Sequence, residues 1–252
     1  MTAAERHRIL IEPDGEGLAR RGVSLFAQSA RAAIKSRGRF MVALSGGSTP
    51  GDMHRMLARE PHVSTLPWDR IHLFWVDERC VPVHDPASNY GRARRDFLDR
   101  IPVSSSRVHP MPGHLPPETG ALQYRKVLST CFELGKNEFP LFDLIFLGMG
   151  KDGHTASLFP GHPALQEKKE AVLAVRGGQP NVPRLTLTIP VLIRAAKIVF
   201  MIRGRNKAHT LKTVIRDREA HLPAQLIRPR MGSLIWLLDR EAASRLEKGN
   251  RP

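Results

Sequence analysis

Asp143-Leu-Ile-Phe-Leu147, running directly into Gly148-Met-Gly-Lys-Asp-Gly-His-Thr-Ala-Ser-Leu-Phe-Pro160, is the stretch on which the fold of this chain turns. An uninterrupted apolar run reads as a strand buried on both faces, as in a parallel sheet. A glycine-rich turn at the carboxyl end of such a strand lies where open α/β sheets place their ligands. This turn sets an acid, Asp152, and an imidazole, His154, among three glycines. It is the leading candidate for chemistry, against the alternative of an ordinary strand-to-loop turn on which nothing converges.

Outward from this stretch, strands and helices alternate. His7–Ile11 reads as a short strand, and Gly17–Lys35 carries Leu18, Val23, Phe26, Ala30 and Ile34 at helical spacing. Phe40–Leu44 is a continuous apolar strand, followed by the loop Ser45-Gly-Gly-Ser-Thr49 and a helix start with Thr49 as N-cap, Pro50 at the first position and Asp52 in the first turn. Ile71–Val76 is a third buried strand ending in the polar tip Asp77-Glu78-Arg79, then a loop over 80–86 and a charged helix over Asn89–Ile101. A surface loop is expected over 102–117 and a helix over Glu118–Leu134. Ala171–Val175, Arg184–Ile189, Lys197–Ile202 and Ser233–Leu238 read as strands, with a helix over Asn206–Ile215 and a charged helix closing the chain. The pattern predicts one α/β domain over residues 1–252, a doubly wound, mostly parallel, Rossmann-like sheet with helices on both faces.

Three familiar site types fail on local chemistry. Gly148-Met-Gly150-Lys-Asp-Gly153 matches GxGxxG after a strand, but a dinucleotide site needs a long helix after the third glycine. Pro160, Gly161 and Pro163 leave room for little more than one turn. Gly46–Gly51 has P-loop glycine spacing, but Asp52-Met53 stands where Lys and Ser/Thr belong. What survives there is a possible cradle for one phosphate, weighed against a plain capped turn, with Asp52 opposing a close anion. Ala43-Leu-Ser45-Gly-Gly47 approaches a nucleophile elbow, and Ser45, Asp77 or Asp152, and His154 permit a triad. In that fold, however, the histidine follows late in the chain, whereas four strand candidates come after His154.

Composition bounds the partners. Thirty-nine Lys and Arg against 24 Asp and Glu give +15, which raises nucleic acid as a partner. The basic residues are scattered, and aromatics make up only 6%, without interleaving. No stacking platform or groove-reading module is recognisable, so no nucleic-acid partner is expected, and the field is read as one that steers a small anion. Cys80 and Cys131 lack metal-ligand spacing, so reduced thiols and no zinc or other metal are expected. With neither a signal-peptide pattern nor a bilayer-length apolar run, a soluble cytoplasmic protein without a membrane partner is expected. The sequence does not specify an oligomeric state and is compatible with a monomer.

Taken together, Leu44-Ser-Gly-Gly-Ser-Thr-Pro50, Trp75-Val-Asp-Glu-Arg79 with Val81-Pro82 and Ser88-Asn89, Gly148–Pro160, Arg184-Leu-Thr-Leu-Thr188 and Lys207-Ala208 occur in order. This set closely resembles the 6-phosphogluconolactonase family over about residues 10–240. The resemblance implies an α/β fold shared with glucosamine-6-phosphate deaminases, and hydrolysis of a phosphorylated sugar lactone without a cofactor. The deaminase segment resembles DGHIAFNEP and supplies a glutamate that works with the histidine. Here the next acid is Glu167, beyond Gly161 and Pro163. On the lactonase resemblance His154 is expected to be the general base, oriented by Asp152, with Asp77 as a second orienting candidate. Arg79 and backbone amides would meet the oxyanion. Gly46, Gly47, Ser48, Thr49, Arg184 and Lys207 are the candidates for the 6-phosphate, with Arg79 shared between the two tasks.

Overall fold

The computed structural model describes residues 7–217, 219–229 and 231–246. Numbering only helices of eight residues or more, the main sheet and its cover are built from β1 (His7–Glu12), α1 (Gly15–Arg37), β2 (Phe40–Leu44), α2 (Ser48–Leu57) and β3 (Ile71–Trp75). There follow β4 (Asp77–Arg79), α3 (Asn89–Asp96), β5 (Val108–His109), α4 (Pro117–Phe132), β6 (Leu144–Leu147), β7 (Val172–Gly177) and β8 (Val182–Leu187). The chain continues with β9 (Lys197–Ile202), α5 (Ala208–Arg216) and β10 (Ser233–Asp239). Seven strands pair in the order β1-β10-β9-β6-β2-β3-β5, and every pairing in this sheet is parallel. The all-apolar strands β2 and β6 sit at its centre and are buried at every residue, as two covered faces require. The predicted α/β architecture with a mostly parallel sheet is borne out.

Several local expectations give way. The N-cap of α2 is Gly47, at φ 102°, so the helix begins at Ser48, before the expected Thr49. Pro50 fits because the first turn has no intrahelical acceptors for its missing N–H. Asp52 therefore lies in the second turn, where it pairs with Arg55 and Arg203. The helix at Asn89 stops at Asp96 and passes into a tight turn over Leu98–Arg100, short of the expected Ile101. The loop over 102–117 contains β5, which extends the sheet edge. At the C-terminus a single helical turn spans Arg240–Ala243, and the rest of the expected final helix lies largely outside the described residues.

The largest departure is a second sheet. Asp77–Arg79 is a strand of its own rather than the polar tip of β3, and it pairs antiparallel with β8, which pairs antiparallel with β7. Only 178–181 separate β7 from β8, enough for a hairpin but too few for the crossover that a parallel pair needs. Val76 joins the two sheets: its N–H donates to Leu44 O (3.0 Å), and its carbonyl accepts from Leu187 N (2.8 Å). The small sheet is thereby fixed over the carboxyl end of the large one.

Candidate active site

From β2 the chain moves outward to β3 and β5, then returns to β6 beside β2 and moves the other way to β9 and β10. The loops leaving β2 and β6 therefore part at a topological switch point, the position at which open α/β sheets bind ligands. A cleft of about 190 Å³ lies there. Ser45 and Gly46 line it from the loop after β2, Asp77 and Arg79 from β4, and Asn89 from the start of α3. Gly148, Met149, Gly150, His154 and Ala156 come from the turn after β6, Arg184 from β8, and Lys207 from the residue before α5.

The turn after β6 is shaped around its imidazole. His154 Nδ1 lies 2.5 Å from Asp152 Oδ1, and the same oxygen accepts from the His154 backbone N–H at 3.2 Å. A carboxylate accepts only, so Nδ1 carries the proton of the neutral ring and Nε2 is left as the base. Burial raises the Asp152 pKa, but the imidazole and its hydrogen bonds outweigh burial and hold the carboxyl below the ordinary aspartate value. Gly150 is required by contact: a methyl group there would lie 2.0 Å from Nδ1. Gly153 takes φ 82°, and Ala156 adopts φ 49°, a backbone conformation costly for a residue with a side chain. Thr155 Oγ1 donates to Gly148 O at 2.8 Å and ties the loop back to the strand end.

Asp77 lines the same cleft but does not hold the imidazole. Its Oδ2 accepts from Ser157 Oγ (2.7 Å) and its Oδ1 from Asn89 Nδ2 (3.2 Å), and no hydrogen bond joins it to His154 among the described residues. Ser157 N donates in turn to Thr186 Oγ1 at 3.2 Å. The buried carboxylate thus locks β4, the start of α3 and the turn bearing His154 to one another. Neighbouring Glu78 faces away, accepting from the backbone N–H groups of Arg79, Asn89 and Tyr90 and from Ser88 Oγ. Burial pushes its pKa up to about 7 against these bonds.

Three cations, Arg79, Arg184 and Lys207, meet at the cleft without an ion pair to an acid among the described residues. Arg79 and Arg184 face each other across the β4–β8 ladder, and neither forms an ion pair among the described residues. Like charges directly opposite are destabilising, so the pair costs stability where it stands, on the wall of the cleft. Arg79 Nη1 donates to Ala87 O (2.6 Å), while its buried Nε has no partner among the described residues. Arg184 is 3% exposed and donates through Nε to Gly177 O (2.8 Å) and through Nη2 to Pro180 O (3.0 Å). Burial and then the Arg79 charge lower its pKa. Burial, followed by nearby Lys151, lowers that of Lys207, with Asp152 pulling the other way.

The loop after β2 is only partly in the site. Gly46 reaches the cleft, and a methyl group there would meet Asn89 Oδ1 at 1.8 Å. Gly47, Ser48 and Thr49 are not among the lining residues and stand at the first turn of α2, with their side of the helix open. Asn89, Ser157, Met149 and Ala156 belong to the site without having been selected from sequence, although Ser88-Asn89 and the block through Pro160 were part of the resemblance. Among the described residues no group of three or more His, Cys, Asp or Glu is placed to hold a metal ion, and no helix is long and apolar enough to cross a membrane.

Residues 13–236 match the model of a family described as glucosamine-6-phosphate isomerases/6-phosphogluconolactonase. This chain belongs to that family. Among its relatives, a 6-phosphogluconolactonase of Synechocystis sp. is 43% identical over 217 residues, covering 85% of this chain and 88% of the relative. A 6-phosphogluconolactonase from Trypanosoma cruzi superposes with a TM-score of 0.86 at 29% identity, over 96% of this chain and 97% of that one. A monomeric glucosamine-6-phosphate deaminase superposes with a TM-score of 0.79 at 22% identity, over 94% and 99% of the two chains, a likeness of fold alone. Within the family, then, the fold does not separate hydrolase from isomerase, and the side chains around His154 must. Glu167, the next acid along the chain, has its Oε1 occupied by the backbone N–H groups of Lys168, Lys169 and Glu170 on an exposed loop. Asp152 is the one carboxylate bonded to His154 among the described residues.

Proposed function

We propose that this chain is a single sugar-phosphate lactonase domain that hydrolyses 6-phosphogluconolactone to 6-phosphogluconate, the lactone-opening step of the pentose phosphate pathway. The observation that carries the reading is the Asp152–His154 pair in one cleft with three cations, Arg79, Arg184 and Lys207, that form no ion pair among the described residues. With Nδ1 held by Asp152, Nε2 of His154 takes a proton from water as the water oxygen attacks the lactone carbonyl carbon. The negative charge that develops on the carbonyl oxygen is met by Arg79 and nearby backbone amides, a contribution of roughly 3 to 4 kcal/mol per good donor. Collapse breaks the bond to the ring oxygen, which recovers the proton from the imidazolium. General base catalysis supplies typically ~10²- to 10⁴-fold, enough for much of the task because a lactone is already an activated ester. Arg184, Lys207 and the amides at Gly46–Thr49 are assigned to the phosphate, where the open start of α2 favours an anion. The surplus positive charge draws this anionic substrate toward the cleft.

Two rivals are disfavoured by particular contacts. A covalent serine mechanism needs Ser45 hydrogen-bonded to the base, and no such bond is present among the described residues. An isomerase or deaminase needs a second proton-shuttling carboxylate at the imidazole, and Glu167 is turned away from it. The test is a coupled assay on freshly generated 6-phosphogluconolactone, corrected for spontaneous opening. Wild-type enzyme should accelerate hydrolysis and His154→Ala should lose at least ~10²-fold. No acceleration by the wild type would remove the lactonase reading, and near-normal turnover by the variant would remove the general-base assignment.

A further inference from the structure

Phe159 does not line the cleft, but it stands behind two residues that do. Its ring is 8% exposed. On one side it meets the His154 imidazole, with ring centroids 5.1 Å apart and planes inclined by 50°. The Arg184 guanidinium carbon lies 5.6 Å from the centroid of the same ring. Further along, the ring fills the space under the β7–β8 hairpin, where a methyl group at Gly177 would lie 2.7 Å from Cδ2 and one at Gly178 3.0 Å from Cε1. One apolar side chain therefore touches the base, a cation of the anion site, and the glycines whose neighbouring carbonyls, Gly177 O and Pro180 O, hold that cation.

We infer that Phe159 is a positioning residue for this reaction, its ring holding the His154 imidazole and the Arg184 guanidinium at a fixed separation. The inference rests on the lactonase reading above. The physical need is specific. A single hydrogen bond to Asp152 fixes one point of the imidazole but not its plane, and both partners are partly solvated, with side chains 32% and 53% exposed. The buried ring supplies the second, immobile contact. For Arg184, two hairpin carbonyls fix Nε and Nη2, and the aromatic face fixes the tilt of the plane. Nη1 makes no hydrogen bond among the described residues and remains for an anion in the cleft that Arg184 lines.

The test compares Phe159→Ala with Phe159→Leu, which keeps an apolar spacer but has no π face. Turnover of 6-phosphogluconolactone is normalised to folded protein, and inorganic phosphate affinity and the His154 side-chain 1H–15N signals are measured alongside. Phe159→Ala is expected to lower kcat about 10²-fold, as a misplacement of about 1 Å does, and to raise KM roughly 2- to 30-fold, the range of a cation–π contact. Phe159→Leu is expected to recover most of kcat while keeping the raised KM and the weakened phosphate binding. A merely structural role would lower only the folded fraction, leaving kcat per folded protein and KM at their wild-type values, and give no such split. Wild-type kcat and KM in folded Phe159→Ala would overturn the inference, as would a Leu variant that changes both parameters in proportion. If the wild type did not hydrolyse the lactone, yet Phe159→Ala weakened phosphate binding and broadened the His154 signals, the lactonase reading would fall and the positioning role would stand. Unchanged binding and signals in that case would overturn the positioning role.

Discussion

Gly150→Ala isolates the geometry of the proposed base from the stability of the fold. Gly150 does not use a positive φ, so alanine brings no backbone strain. Its Cβ would lie 2.0 Å from His154 Nδ1, 2.2 Å from Cε1 and 2.4 Å from Asp152 Oδ1. Ordinary contact begins near 3.4 Å, so the imidazole must retreat by about 1.4 Å, the difference from 2.0 Å, or the carboxylate must swing aside. Either movement breaks the 2.5 Å Asp152–His154 contact, a charge-assisted bond worth roughly 1.5–3 kcal/mol. A displacement of this size costs about 10²-fold in rate, or ~2.7 kcal/mol of transition-state stabilisation. Because both side chains are partly solvated, water replaces the lost bond in the ground state and Tm should fall by only a few degrees. The assay is initial-rate lactone hydrolysis beside thermal unfolding of the same preparation. A variant within threefold of wild type in kcat/KM would refute the role of the Asp152-held imidazole.

Other outcomes follow from the same contacts. His54, buried on α2 against Phe97 at 4.6 Å, has its pKa lowered to about 4, first by burial. The unfolded chain therefore binds the extra proton between about pH 6.5 and 4, so the stability of the neutral ring is complete above 6.5 and lost as pH falls toward 4, by about 3 kcal/mol in all. His54→Phe should flatten that acid limb in denaturant titrations at pH 7.5 and 4.5, and an unchanged limb would contradict it. Arg79→Gln removes a like-charge strand pair, so Tm should hold or rise while kcat/KM drops roughly 10²- to 10³-fold through the lost oxyanion donor. Equal losses in both would mark Arg79 as structural. Asp77→Ala leaves Ser157 Oγ without its carboxylate acceptor and Asn89 Nδ2 with only the backbone carbonyl of residue 77, and should cost about 1–3 kcal/mol in chemical denaturation. Arg184→Lys cannot keep both hairpin carbonyls and a third contact in one plane, and should raise KM about tenfold or more with a smaller change in kcat.

The sequence by itself settled the central strands and which acid lies against which imidazole in the turn after β6. Phe40–Leu44 and Leu144–Leu147 are apolar throughout because parallel strands are covered on both faces, and a local turn with three glycines suffices to bring Asp152 to His154 two residues on. The hairpin was also legible in principle: 178–181 are too few residues for a parallel crossover. What tertiary structure alone decided was convergence. Asp77 had the right residue type to orient His154, but its direction depends on Ser157, eighty residues away, and on Asn89. Arg79 and Arg184, unremarkable singly, acquire meaning only as opposed partners on β4 and β8. Spacing encodes contacts made within a turn. Contacts between distant segments are set by strand register and the bend at Val76, for which a single sequence carries no local signal.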